Sequence, residues 1–185
     1  MTFVTAAIER VAGTPSEAFL PVLRNVVTAE FHHEQALANA GGTPFTTSFW
    51  LPDAAFGDGG VGLFSAIEAV ESIEVSLYLI GASAYAHAGE EFGARLCAEA
   101  MGTEAVHRAL ARFAQGQLGK NDVGVPNDVG FENFDWPTMA KVRNALEGLG
   151  IGYGTAGKQP GRFYDYPGDP IARGVGTPVS HTVPA

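Results

Sequence analysis

Residues 28–37 read TAEFHHEQAL, and the three-residue step from Glu30 to His33 inside them decides how the rest of the chain is read. On an α-helix, side chains three apart differ by about 60° in direction and ~4.5 Å in height, so both can address one centre. Around this pair the stripe Phe19, Leu23, Val26, Glu30, His33, Leu37 steps by four and three and stays on one face. That face is apolar except at Glu30 and His33. A capping-type Ser16 and the Gly41-Gly42 pair bracket a helix over 16–40, with Pro21 tolerable near its start.

Residues 41–60, rich in Gly, Pro, Thr and Asp with Phe45, Phe49, Trp50 and Phe56 among them, read as a long crossing loop packed by its aromatics. The next stretch, LFSAIEAVESIEVSLYLIGASAYAHAG, has the strongest helical pattern, with the stripe Phe64, Ile67, Glu71, Glu74, Tyr78, Gly81, Tyr85. After a Gly-Glu-Glu break at 89–91, a third helix closes at Gly119 and aligns Cys97, Ala100, Glu104, His107, Ala111 and Ala114. The expected fold is therefore an all-α helical bundle over residues 1–119. Residues 120–185 read as an irregular Gly/Pro-rich extension with one short helix at about 137–150 and an extended, surface-bound or partly disordered tail.

Glu104 and His107 repeat the Glu-x-x-His spacing of Glu30 and His33, and Glu71 adds a carboxylate inside a third seam. One such pair is common on solvated helix faces. Two pairs in register with apolar seams are harder to explain as surface, because a buried carboxylate without a partner is costly. Helical bundles that hold two iron or manganese ions use Glu-x-x-His from two helices and a lone Glu from each of two more. Carboxylates can bridge two cations and offset their charge, while imidazoles cap each ion and leave a position open for oxygen or peroxide. Glu74 shares the face of Glu71 and is a further candidate ligand, a base just behind the ligands, or an ion-pair partner of an arginine; Tyr78 lies two turns beyond Glu71 on that face. His32 and Glu34 read as flanking or solvent-facing groups, Glu68 and Glu99 as surface charges, and His87 and His181 as exposed histidines. Cys97, the single cysteine, reads as a small core residue and excludes an internal disulfide.

The chain is acidic, with a formal net charge of −9 and no Lys/Arg-rich run, so nucleic acid is not an expected partner. No apolar run approaches the ~20 residues that cross a bilayer, and no basic segment precedes an apolar one at the N-terminus. A cytoplasmic location is the expectation for the chain as it stands, with export left open if the true start lies upstream.

The pieces TAEFHHEQAL, SAIEAVESIEVSLYLIGA and TEAVHRAL, within about Leu20 to Gly119, resemble the ferritin-like domain of many bacterial proteins, desiccation-related ones included. The resemblance covers a little over half the chain. It implies a bundle related to ferritins, rubrerythrins and manganese catalases, with Glu30, His33, Glu71, Glu104 and His107 as ligands of two iron or manganese ions. It also implies a ferroxidase- or peroxide-type oxidoreductase acting in stress protection, with Tyr78 as a nearby hydrogen-bond donor or redox-active phenol. The alternative is a metal-free ferritin-like structural or stress protein. Only MTFVTAAIERVAG stands where the family's first helix belongs. The fourth helix and sixth ligand are then expected from upstream residues, a second copy completing the bundle, or the helix at 137–150. Glu74 is the nearest candidate for the sixth carboxylate, ahead of Glu9 and Glu147.

Overall fold

A computed structural model describes residues 1–182, the side chain of Asp58 excepted. Five α-helices are described: α1 (Thr2–Ile8), α2 (Leu20–Asn39), α3 (Val61–Ala88), α4 (Glu91–Gln117) and α5 (Met139–Gly148). Three strands accompany them, β1 (Ser48–Pro52), β2 (Gly152–Tyr153) and β3 (Gly161–Asp165), in the antiparallel order β2-β1-β3. The protein is thus mostly helical, and the sheet corrects the all-α expectation. Among the described residues, no helix is long and apolar enough to cross a membrane. The described residues form two compact units, Met1–Leu63 with those from Gly150 on, and Phe64–Leu149.

In the first unit the expected crossing loop and tail meet as the sheet, with Phe49 opposite Tyr164 and Trp50 opposite Phe163. The aromatics of 41–60 do pack, but as strand side chains: Trp50 meets Phe163 edge-on at 5.2 Å, and its indole N–H donates to the Gln159 carbonyl at 3.2 Å. Arg10 lies 3.7 Å over the Phe56 ring and donates to the Tyr164 hydroxyl, tying the N-terminal segment to β3. The seven-residue α1 is too short to persist alone and is held by burial of Val4, Ala6, Ala7 and Ile8. The chain beyond β3 is also anchored, since the Thr177 N–H donates to the Arg24 carbonyl at 3.1 Å.

The second unit is built on the antiparallel hairpin of α3 and α4. Gly89, with φ +76°, takes the left-handed position past α3, and the Glu90 N–H returns to the Tyr85 carbonyl at 2.9 Å. A link this short sends α4 back along α3. Close approach follows from Gly81, where a Cβ would stand 2.7 Å from the Cys97 sulfur. Tyr78, Cys97 and Ala100 form a buried cluster there, against which Leu77, Ala82 and Met101 pack. Deeper along the hairpin Phe64 is 2% exposed, a burial that stabilises by roughly 2–3 kcal/mol. The segment after α4 lacks regular structure yet is strapped to the hairpin. Arg112 reaches Asp128 at 2.7 Å and the Val123 carbonyl at 2.8 Å, and the Ser76 hydroxyl donates to the Asn133 carbonyl at 3.3 Å. Helix α5 starts where the Thr138 hydroxyl accepts from the Lys141 N–H at 3.3 Å.

Candidate metal centre

On α4 the whole stripe from Cys97 through Ala100, Glu104, His107 and Ala111 to Ala114 is buried. Its neighbours being small, the layer at Glu104 and His107 has room for polar side chains inside an apolar seam. Glu104 is fully buried, and its carboxylate lies 3.0 Å from His107 Nδ1, a hydrogen bond whose direction depends on the imidazole tautomer. From α3, Glu71 brings a carboxylate to 3.6 Å from the same nitrogen. Glu71 and His107 are likewise buried.

On α2 the other Glu-x-x-His pair is looser and a little less covered. His33 Nδ1 stands 4.0 Å from the Glu30 carboxylate, with the two side chains 14% and 9% exposed. One ligand atom each of Glu30, Glu71, Glu104 and His107 lies within 4.8 Å of the others, a buried carboxylate–imidazole cluster that could hold a metal ion. The donor set fits a divalent cation. Three buried carboxylates repel one another, one imidazole cannot offset them all even when protonated, and a divalent cation would.

The remaining sequence candidates are placed as follows. Among the described residues, His33 and Glu74 do not belong to the four whose ligand atoms gather, and Glu74 is half-buried on α3. Tyr78 is buried in the cluster with Cys97, two turns beyond Glu71. Burial raises the Cys97 thiol above its ordinary value, which suits a core residue. His87 and His181 are exposed, and Glu99 is a half-exposed partner of Arg95 at 3.7 Å. Glu34 hydrogen-bonds the Tyr166 phenol, which is pushed upward first by burial and then by that carboxylate.

Glu68, read as a surface charge, is 30% exposed and engaged by neighbours. Its carboxylate accepts from the Gln115 amide at 2.6 Å and lies 3.6 Å from Arg112. Gln115, fully buried, also takes the Ser65 hydroxyl at 2.8 Å and the Lys120 ammonium at 2.9 Å on its carbonyl oxygen. Continuing the α4 stripe four residues past Ala111 would have found Gln115. Arg108, one residue past the Glu104-x-x-His107 pair, belongs to the same buried surface. It is 6% exposed and grips Glu132 through two nitrogens, at 2.5 and 3.0 Å. The Glu132 partner had no signal in the sequence, because it comes from an irregular segment. Compared with protein-family models, curated proteins and solved structures, the chain gives no match.

Proposed function

We propose that this protein is a metal-binding carboxylate bundle of ferritin-like type that holds two iron or manganese ions and handles oxygen or peroxide. The observation that carries the reading is the buried gathering of Glu30, Glu71, Glu104 and His107. Glu71, Glu104 and His107 would hold metal from the α3–α4 hairpin, and Glu30 from α2. His33, one turn along from Glu30, is the natural second imidazole, and Glu74 the further carboxylate. Bound metal would supply Lewis acidity and, for iron or manganese, one-electron chemistry toward oxygen species. The chain's own part is to keep the layer dry and to orient the carboxylates. The Glu104–His107 contact holds both side chains in the layer before any ion arrives, and an ion taken by His107 Nδ1 would replace it.

The same contact favours one second reading. A Glu104–His107 pair at 3.0 Å partly satisfies itself, as a metal-free structural or stress protein would require. Metal analysis of the purified protein, followed by calorimetric titration of the stripped protein with Mn2+ and anaerobic Fe2+, separates the two. Two ions per chain with sub-millimolar affinity are expected. Absence of binding by either ion would leave the metal-free reading.

A further inference from the structure

We propose that Glu132 is a positioning residue for the metal centre: by gripping Arg108 it keeps a guanidinium off the carboxylates and leaves Glu104 open to a divalent cation. This inference rests on the metal-binding reading above.

Arg108 follows His107 directly and stands four residues after Glu104 on α4, the spacing and order at which a helical glutamate and arginine pair best. At 6% exposure it cannot escape into solvent, and a buried guanidinium needs a carboxylate. Yet its partner is Glu132, held through both terminal nitrogens, at 2.5 and 3.0 Å, in the fork geometry that makes such pairs strong. Glu132 is itself only 17% exposed, so water screens the pair poorly.

The carboxylate is also held in place from both sides of the strap. On one side Asp128 and the Val123 carbonyl are bound by Arg112, and on the other the Asn133 carbonyl is bound by Ser76. Without Glu132, Arg108 has two carboxylates to turn to: Asp128, which feels its charge but is already held by Arg112, and Glu104, one helical turn back on α4. A guanidinium on Glu104 would occupy its oxygens and set a fixed positive charge against any incoming cation, which it cannot shed because arginine does not deprotonate.

The test uses the stripped full-length chain titrated with Mn2+. Glu132→Gln should weaken Mn2+ binding by about 10- to 100-fold, the usual effect of losing a group that orients a ligand. Glu132→Gln with Arg108→Gln should return to near wild-type affinity, and Arg108→Gln alone should bind at least as tightly as wild type. A purely structural ion pair would weaken binding in all three variants, and that pattern, or unchanged binding in Glu132→Gln, overturns the proposal. If Glu132→Gln does not fold, Arg108→Gln still decides by the sign of its effect. A crystal structure of metal-free Glu132→Gln gives an answer independent of metal. Arg108 found on Glu104 or Glu71 supports the proposal even if the wild type binds no Mn2+, an outcome that would sink only the reading beneath it; Arg108 found elsewhere overturns it.

Discussion

Glu30-x-x-His33 on α2 and Glu104-x-x-His107 on α4 have the same spacing and different surroundings. The α4 pair is buried with its groups 3.0 Å apart, whereas the α2 pair is 4.0 Å apart and its imidazole is 14% exposed. The α4 seam is flanked by Ala100, Ala111 and Ala114, so a partner helix can come close and exclude water. Around the α2 pair stand Phe31, His32 and Glu34, which leave that turn half-buried. Spacing therefore aims the two side chains of each pair the same way, while the size of their neighbours decides how closely each imidazole is covered: His107 is buried, and His33 is covered less completely although Glu30 beside it joins the buried cluster. A dry carboxylate interacts more strongly with whatever cation reaches it.

The largest expected consequence is in stability without metal. His107→Ala removes one member of a buried pair and should cost about 3–5 kcal/mol by urea denaturation of the stripped protein. His33→Ala breaks a contact of 4.0 Å, too long for a hydrogen bond, and should cost about 1 kcal/mol. Equal losses would erase the distinction between the two motifs. Metal binding should rank the same way. Glu104→Gln keeps size and removes charge, and should lower Mn2+ affinity about 100-fold or more, against about tenfold for His33→Ala. A reversed order in calorimetry would place the principal ligands on α2.

Much of this arrangement was readable from residue periodicity. The seams of α3 and α4, their closing glycines and the placement of Glu71, Glu104 and His107 on one buried layer all follow from local steps of three and four. The sheet was not readable in that way. Its strands are short, Gly161–Asp165 lies among glycines and prolines that read as loop, and its partner Ser48–Pro52 lies more than a hundred residues away. Pairing at that separation is settled by tertiary packing, here the aromatics around Trp50, rather than by local propensity. The exposure of His33 was hidden for a related reason, because periodicity names a face without saying how closely anything covers it. Nor could the helical pattern show that Arg108 pairs with Glu132 rather than with Glu104.

A smaller effect tests whether close approach is what dries the α4 seam. Gly81→Ala would place a Cβ 2.7 Å from the Cys97 sulfur, which must shift or push the helices apart. A loss of about 1–3 kcal/mol is expected from such overpacking, measured by thermal or chemical denaturation. Adding Cys97→Ala makes room and should restore most of it. Failure of the second substitution to rescue would mean that the sulfur is not what limits the approach of α3 and α4.

The smallest expected effect concerns the strap that covers α4, and it depends on pH. The hydrogen bond from Arg112 holds the Asp128 carboxyl below its ordinary value, assisted by the attraction of the Arg112 charge and opposed by partial burial. A carboxyl whose folded value is depressed contributes stability that is fully present above its unfolded value, about 3.9, and is lost as pH falls through the folded value. Asp128→Asn should therefore loosen the strap at neutral pH and match the wild type once both are well below that range. Hydrogen exchange of the backbone amides around Val123 to Glu132 measures this directly, with faster exchange in the variant near pH 7 and convergence in strong acid. Amides of α2 should exchange alike in both proteins, because the Arg112–Asp128 pair belongs to the α3–α4 hairpin and its strap. A pH-independent difference would mean that Asp128 acts there by shape rather than by charge.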